Sequence, residues 1–220
     1  MKSYRYKDLK RISYDKALAI QSAAFDTIIK NKAENNKSVN QLFFCEHDPV
    51  FTIGKNGDNA NLLVSEAALA QHGISLYHIT RGGDITYHGP GQITAYPVFD
   101  LDTYGMGLKQ YIHTLEEIVI LFLQTFGIRG ERLPGAIGVW LDPDVEGKAR
   151  KICAIGVKSS RFVTMHGLAL NINTDLNYYR YIHPCGFVDK GVTSLTAELG
   201  QPVDFEEAKT YLESLFADFF

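Results

Sequence analysis

Lys-Ile-Cys-Ala-Ile-Gly at residues 151–156 and Met-His-Gly-Leu-Ala-Leu-Asn at residues 165–171 are two short, mostly apolar runs that follow closely on one another. They predict β-strands at 151–157 and 163–172, because each run has the length and composition of a buried strand. A third run at 137–141 precedes them and is joined to the first by the polar loop 142–150. Consecutive strands that are interrupted elsewhere by a few helices, without regular alternation, predict an α+β domain.

The rest of the chain supplies further strands and four helices. Apolar runs bounded by polar, proline or glycine residues predict strands at 42–45, 50–53, 74–80 and 93–99. Caps and helical spacing predict helices from Ser13 to about residue 32, from 66 to 72, from Leu108 to Gly127, and from Asp204 to the end. Pro97 predicts that its strand lies at a sheet edge or carries a bulge.

Composition limits the function classes. The 220 residues are 45% apolar and 21% charged, with a net charge of −3, which predicts one domain spanning 1–220 and gives no basic field for nucleic acid. The three cysteines, an odd number without a regular pattern, indicate a reducing compartment. No signal-peptide or membrane-length apolar run occurs, so we expect a cytoplasmic protein.

Lys151 and Cys185 are candidates for nucleophilic catalysis. A thiol reacts as thiolate, which a nearby base or positive charge must favour at neutral pH. Cys185 stands between Pro184 and Gly186, as in a tight turn, and a hairpin could bring it back to Lys151. A buried apolar cysteine and a solvated lysine are the alternatives. Cys45 and Cys153 lie in apolar runs typical of core strands.

Residues 81–92, Arg-Gly-Gly-Asp-Ile-Thr-Tyr-His-Gly-Pro-Gly-Gln, form a glycine-rich segment. Such backbone can press against a ligand, although a glycine-rich turn between two strands is the alternative. The segment matches neither a dinucleotide fingerprint nor a Walker A sequence, and the histidines lack zinc-site spacing, so we expect no metal. His88 and His166 each precede a glycine. Each could donate to a substrate carbonyl or be a core histidine.

Together these segments resemble the lipoyl(octanoyl) transferase family, that is, the octanoyl-[acyl carrier protein]:protein N-octanoyltransferases. The resemblance covers about residues 41–200 and is most specific at five ordered segments. These are Glu-His-Asp-Pro-Val-Phe-Thr-Ile-Gly at 46–54, the segment 81–92, Lys-Ile-Cys-Ala-Ile-Gly at 151–156, His-Gly-Leu-Ala-Leu-Asn at 166–171, and Pro-Cys-Gly at 184–186. The insertion-like stretch 142–148 departs from the pattern without touching a motif.

The resemblance implies a mixed sheet flanked by helices, like the fold of biotin and lipoate protein ligases, in a single octanoyltransferase catalytic domain. It implies an acyltransferase of lipoate biosynthesis that needs no cofactor. We expect a cytoplasmic monomer that, from its composition, binds neither nucleic acid nor membrane. Octanoyl-acyl carrier protein would be the donor. Lipoyl domains of 2-oxoacid dehydrogenase E2 subunits and the glycine cleavage H protein would be the acceptors of the octanoyl or lipoyl group.

The resemblance also implies site residues. Cys185 would carry the acyl group as a thioester, and Lys151 would lower the pKa of its thiol. The implied substrate-binding residues are Arg81, Gly82, Gly83, Asp84, Ile85, Thr86, Tyr87, His88, Ala154, Ile155, Gly156, His166, Gly167, Leu168 and Ala169. Leu168, Leu170, Ile155 and Tyr87 are candidates for the wall of an acyl tunnel, with ordinary core packing as the alternative.

Three other functions remain open from the sequence. An ATP-dependent lipoate or biotin ligase on the same fold would not need Cys185. A thioester hydrolase would pass the acyl group from Cys185 to water. A non-catalytic lipoyl-domain binder would need neither Cys185 nor Lys151.

Overall fold

A computed structural model describes residues 3–186 and 189–220, and for Cys185 the backbone without the side chain. The strands, in chain order, are β1 (Tyr4–Arg11), β2 (Asn40–Glu46), β3 (Val50–Ile53), β4 (Ser75–His78), β5 (Ile85–His88), β6 (Gln92–Val98), β7 (Glu131–Leu133), β8 (Ala136–Leu141), β9 (Arg150–Ser160), β10 (Val163–Asn171) and β11 (Gly191–Val192). The α-helices are α1 (Tyr14–Ala33), α2 (Glu66–Gln71), α3 (Leu108–Gln124), α4 (Leu195–Leu199) and α5 (Phe205–Phe219).

A large mixed sheet forms the centre of the fold. Its strand order is β1-β2-β6-β10-β9-β8-β7, with β11 paired to β9 beside this path. The β1–β2 and β11–β9 pairs are parallel, and the other neighbours are antiparallel. The three strands predicted at 137–141, 151–157 and 163–172 are adjacent as β8, β9 and β10. The α+β prediction is therefore confirmed, with the mixed sheet that the resemblance implies.

Helices cover both faces of this sheet. Side chains alternate along β2: Leu42 and Phe44 join the core cluster that α3 and α5 complete, while Phe43 and Cys45 join the cluster under α1. Successive residues of a strand point to opposite faces, so an uninterrupted apolar run such as 42–45 needs cover on both sides. Buried strands of this kind give the hairpin β9–β10 a rigid support.

A second sheet of three strands, in the order β4-β3-β5, lies apart from the first. Together with α2 it encloses its own apolar cluster, which includes Phe51, Leu69 and Tyr87. The strand β5 forms the middle of the glycine-rich segment 81–92, for which the sequence predicts a ligand-contacting loop or a turn. Turns at 81–84 and 89–91 flank this strand, so the segment is two turns around a short buried strand.

Predicted helices agree closely with those observed. Ser65 accepts a hydrogen bond from the Ala68 N–H at the start of α2, and Asp204 accepts one from Glu207 N–H at the start of α5. The Ser13 side chain makes no such bond at α1. The strands β1, β7 and β11 and the short α4 were not predicted, because each is brief or lacks a clear apolar period.

The sequence predicts that the strand of Pro97 lies at a sheet edge or carries a bulge, and the structure excludes the first of these. That strand, β6, lies between β2 and β10, so the sheet-edge prediction is wrong. The β6–β10 pairing ends at Ala95, because Pro97 has no N–H to donate and the facing His166 has a φ of +62°. Among the helices of the described residues, none combines the length and apolar character needed to cross a membrane.

Candidate active site

A cavity of about 530 Å³ lies where the two sheets approach each other. Its walls come from the turn 81–84 and strand β5 on one side and from the hairpin β9–β10 on the other. The N-terminal part of α3 and the start of β8 close a third side. The volume is in the usual range of small-molecule sites.

Glycines make the turn 81–84 fit tightly against its neighbours. The Gly82 N–H donates to the Val157 carbonyl of β9 at 2.9 Å, and Lys55 N–H donates to the Arg81 carbonyl at 2.9 Å. A Cβ on Gly54 would come within 2.3 Å of the Gly83 carbonyl oxygen, and one on Gly156 within 2.8 Å of the Gly82 carbonyl oxygen. Backbone approaches of this kind exclude any side chain at 54 and 156.

The space left by these glycines holds the guanidinium of Arg81. The side chain is 7% exposed, and its Nη2 donates to the Thr52 carbonyl at 2.7 Å and to Thr52 Oγ1 at 2.9 Å. One guanidinium nitrogen thus serves both acceptors on Thr52, while Nη1 donates to the Gly82 carbonyl at 3.1 Å, so the planar group is held at two of its nitrogens. Arg81 therefore brings a buried positive charge to the wall of the cavity.

His88 is a neutral histidine whose two ring nitrogens are both used. Gln92 Nε2 donates to the Tyr87 carbonyl, so Gln92 Oε1 must accept from His88 Nδ1 at 2.9 Å. The other nitrogen, Nε2, then accepts from Thr52 Oγ1 at 3.4 Å. Burial, with a smaller effect of His47, lowers the pKa of His88 to about 3. The ring supports the cavity wall and lacks a free N–H for a substrate carbonyl.

His166 differs from His88 in this respect. It is 2% exposed and lines the cavity, and its Nε2 has no hydrogen-bond partner among the described residues. Burial and the nearby Arg81 charge lower the pKa of His166 to about 3, so the ring is neutral. Of the two histidines, His166 is the one whose ring nitrogen is available to a ligand.

Lys151 enters the cavity from β9. It is 7% exposed, and its Nζ lies 4.7 Å from the centroid of the Trp140 ring. The β11 strand pairs with β9 so that Val192 faces Lys151, and Thr193 N–H donates to the Lys151 carbonyl at 3.0 Å. This pairing brings the chain that follows Cys185 back to the lysine.

The turn that contains Cys185 lies at the same cavity. Pro184 lines it, and the turn Pro184–Gly186 is held by bonds from Gly186 N–H to the His183 carbonyl and from His183 N–H to the Asn61 carbonyl. The tight turn that the sequence predicts is present, with Gly186 at φ +70°. The position of the Cys185 thiol lies outside the described part of the structure, so its predicted meeting with Lys151 stays a prediction.

All the implied substrate-binding residues except Tyr87 line the cavity: 81–86, 88, 154–156 and 166–169. The Tyr87 ring points instead into the core of the small sheet, stacked 4.7 Å from Tyr178. Alternation along β5 sends it to the face opposite Thr86 and His88. Of the tunnel-wall candidates, Ile155 and Leu168 line the cavity, whereas Leu170 and Tyr87 belong to the cores.

Cys45 and Cys153 are core residues, as the sequence predicts. They are 2% and 0% exposed, and burial raises the pKa of both thiols. Neither can supply a thiolate near neutral pH. Within the described residues, no group of three or more histidine, cysteine, aspartate or glutamate side chains is arranged to hold a metal ion.

Several residues that line the cavity belong to no sequence motif that indicates a role in binding. Tyr14 from α1 and Tyr96 from β6 line one part, and Leu108, Ile112 and Ile137 line another. Leu108 and Ile112 appear in the sequence only as members of an apolar helical pattern, and only the packing of α3 against β8 and β9 turns them toward a ligand. In the structure, Leu108 and Ile137 are 38% and 49% exposed, and large apolar side chains exposed at a cavity rim often mark a binding surface.

Comparisons with known proteins agree with this geometry. Residues 13–217 match the lipoyl protein ligase A/B catalytic domain family. A bipartite lipoate protein ligase from Thermoplasma acidophilum superposes with a TM-score of 0.72 at 19% identity, covering 100% of this chain and 84% of that one. The fold is thus that of the lipoate ligase class.

Two bacterial relatives are more similar in sequence. A protein of Parabacteroides distasonis named octanoyltransferase is 65% identical over 220 residues, all of both chains. One of Porphyromonas gingivalis with the same name is 57% identical over 97% of this chain and 43% of its own length. The chain belongs to the octanoyltransferase family within the lipoyl protein ligase A/B catalytic domains.

Proposed function

We propose that this chain transfers an octanoyl group in lipoate biosynthesis, from the thioester of acyl carrier protein to the ε-amine of a lysine on a lipoyl domain. The observation that carries the proposal is the shared cavity of Lys151 and the Cys185 turn, lined by the glycine-rich turn and the β9–β10 hairpin. The octanoyltransferase name of relatives such as the one 65% identical supports the acyl group and the reaction class.

In the first half-reaction, Lys151 would take the proton of the Cys185 thiol, and the thiolate would attack the thioester carbonyl of the donor. Collapse of the tetrahedral intermediate breaks the bond to the donor sulfur, which leaves with the proton held by Lys151. One thioester replaces another, so the step has little free-energy change. Octanoyl-Cys185 and a neutral Lys151 remain.

In the second half-reaction, the amine of the acceptor lysine would attack the octanoyl-Cys185 carbonyl. This amine has an ordinary pKa of about 10.4 and must lose a proton, for which Lys151 is the available base. The C–S bond then breaks, the Cys185 sulfur takes the proton, and an amide is formed. Conversion of a thioester to an amide is downhill, so the reaction needs no nucleotide.

The cavity has room for the acyl chain. Ile155 and Leu168 supply apolar wall, and burial of seven carbons contributes about 5–6 kcal/mol before the costs of ordering the chain. His166 Nε2 is the polar group we assign to the substrate side of the cavity. The buried guanidinium of Arg81 adds positive potential to the wall of the cavity.

Intact-protein mass spectrometry tests both half-reactions. The protein is mixed with octanoyl-acyl carrier protein, and apo lipoyl domain is then added without ATP. We expect a hydroxylamine-labile octanoyl adduct that moves to the lysine of the domain. Cys185→Ser should lose the adduct and keep the fold, whereas Cys153→Ser, matched in chemistry but buried in β9, should form it.

Other outcomes identify the rival functions. Domain modification that appears only with octanoate and ATP, in a Cys185→Ser protein as well, would mean a ligase. Release of free octanoate without domain modification would mean a hydrolase. Full transfer activity in Cys185→Ser would refute the covalent mechanism.

We further propose that residues 1–220 act as one catalytic domain, as a monomer in the cytoplasm, with no cofactor. The acceptors would be lipoyl domains of 2-oxoacid dehydrogenase E2 subunits and the glycine cleavage H protein. Modification of purified domains of each kind, compared under the same conditions, measures the preference. Sedimentation of the protein alone measures the oligomeric state.

A further inference from the structure

The strand next to Lys151 carries an aromatic ring that contacts the lysine amine. Trp140 on β8 and Lys151 on β9 are directly paired in the antiparallel register, so their side chains leave the sheet on the same face. The Lys151 Nζ lies 4.7 Å from the Trp140 ring centroid, inside the range of a cation–π contact. Both residues are buried, at 7% and 1% exposure, so solvent screens this contact weakly.

The Trp140 ring is held in place by its own hydrogen bond. Its Nε1 donates to the Ala136 carbonyl at 2.9 Å, a bond within the same strand that fixes the rotation of the indole. Neither the sequence motifs nor the proposed mechanism uses this tryptophan. A buried ring with a fixed orientation is a suitable surface on which to orient a flexible four-carbon side chain.

An irregularity in β8 places the ring opposite the lysine. The β8–β9 register shifts between Val139 and Trp140, and the preceding Gly138 has a φ of +125°. A Cβ on Gly138 would meet the Cys153 carbonyl oxygen at 2.5 Å and the Lys151 side chain at 3.5 Å. Without the shift, alternation would send Trp140 to a different partner on β9.

A buried carboxylate from α3 fixes this irregularity. Glu116, 5% exposed, accepts from the Gly138 N–H at 3.1 Å and from Arg132 Nε at 3.0 Å. A glycine with a positive φ leaves its N–H outside the regular ladder, and Glu116 satisfies it. The hydrogen bonds of Glu116 to Arg132 and to the Gly138 backbone thus fix the strand segment that positions Trp140.

We propose that Trp140 is a positioning residue for Lys151: its fixed ring contacts the lysine amine and orients it toward the Cys185 turn for thiol deprotonation. The inference rests on the proposed role of Lys151 as the proton acceptor. The ring lies at cation–π distance from Nζ, so it contacts the positive charge that Lys151 carries once it has taken the thiol proton in the first half-reaction.

Kinetics of paired variants test this role. Trp140→Phe keeps a ring, and Trp140→Leu removes it while filling part of the space. We expect Trp140→Leu to slow acylation of the enzyme by octanoyl-acyl carrier protein by about 2- to 30-fold relative to the wild type, with KM unchanged. Trp140→Phe should retain most of the wild-type rate. An equal decrease in the acylation rate of both variants, or a change in KM without a change in rate, would overturn the proposal.

Fluorescence tests the contact without relying on catalysis. Trp140 is the single tryptophan of the chain, so intrinsic tryptophan emission reports on its surroundings alone. We expect Lys151→Met to change the intensity and maximum of this emission. The matched control Lys148→Met, in the exposed loop before β9, should leave the emission as in the wild type.

The two readouts separate the possible failures. Emission that is the same in Lys151→Met and Lys148→Met means that the contact is absent, and the inference fails whatever the enzyme does. A changed emission in a protein that transfers no octanoyl group means that the proposed function fails while the contact stands. Melting curves of every variant identify a loss that comes from unfolding.

Discussion

Gly167 lies in β10 at a point where no side chain fits. A Cβ there would come within 2.2 Å of the Ala95 carbonyl oxygen and 2.6 Å of Pro97 Cδ, both on the neighbouring β6. These atoms are backbone and a closed ring, so neither can rotate away. Gly167→Ala should therefore force β10 and β6 apart in the middle of the large sheet.

The expected cost is at the upper end for an overpacked core, about 3 kcal/mol. For a chain of this length that corresponds to a fall of about 6–12 °C in Tm. Urea denaturation followed by circular dichroism measures the free energy of unfolding directly. Gly107→Ala is the matched control, because a Cβ at Gly107 meets nothing within 4 Å and its φ is −81°. It should cost less than about 1 kcal/mol.

A Gly167→Ala protein as stable as Gly107→Ala would refute this reasoning, since it would mean that the two strands can separate freely. The result also bears on the role of Gly167, which the family resemblance assigns to the acyl site. Loss of transfer together with loss of stability means that the glycine is required by the sheet. Loss of transfer at full stability means that it is required by the ligand.

Three further changes test the electrostatics of the fold. Because the folded-state pKa of His88 is about 3 and a histidine's usual value is about 6.5, the unfolded chain binds the extra proton between these values. Stability should thus rise with pH across that window, and His88→Gln should flatten the rise in urea titrations at several pH values. Burial opposes ionisation of Asp8, but hydrogen bonds from Lys209 and Lys10 outweigh it and lower the pKa of this carboxyl. Asp8→Asn should lower the free energy of unfolding by about 1–3 kcal/mol at pH 7, and the difference should shrink as acid protonates the wild-type carboxyl. A urea midpoint that is the same in both proteins at pH 7 would contradict this. Arg81→Lys should also lower the free energy of unfolding by about 1–3 kcal/mol, because one ammonium nitrogen cannot replace both Nη2, which donates to Thr52, and Nη1, which donates to the Gly82 carbonyl. Equal stability of the two proteins would contradict this.

Local patterns in the sequence determined much of this protein. Apolar runs predicted β2, β3, β8, β9 and β10, because strands that are largely buried on both faces are apolar over most of their length. Capping residues and glycine stops predicted the ends of α2 and α3. The ordered motifs pointed to the family, since their residues are those that chemistry and close backbone approach restrict most.

Only the tertiary structure decided how the site is assembled. The alternation of β5 in the small sheet turned Tyr87 away from the cavity although its neighbours line it, and the pairing of Gln92 with His88 used up a ring nitrogen that the sequence leaves open. The shift in β8 that places Trp140 against Lys151 depends on Glu116, a residue of α3 with no motif. Contacts of this kind join residues distant in the chain, and their energies depend on three-dimensional register that no local pattern records.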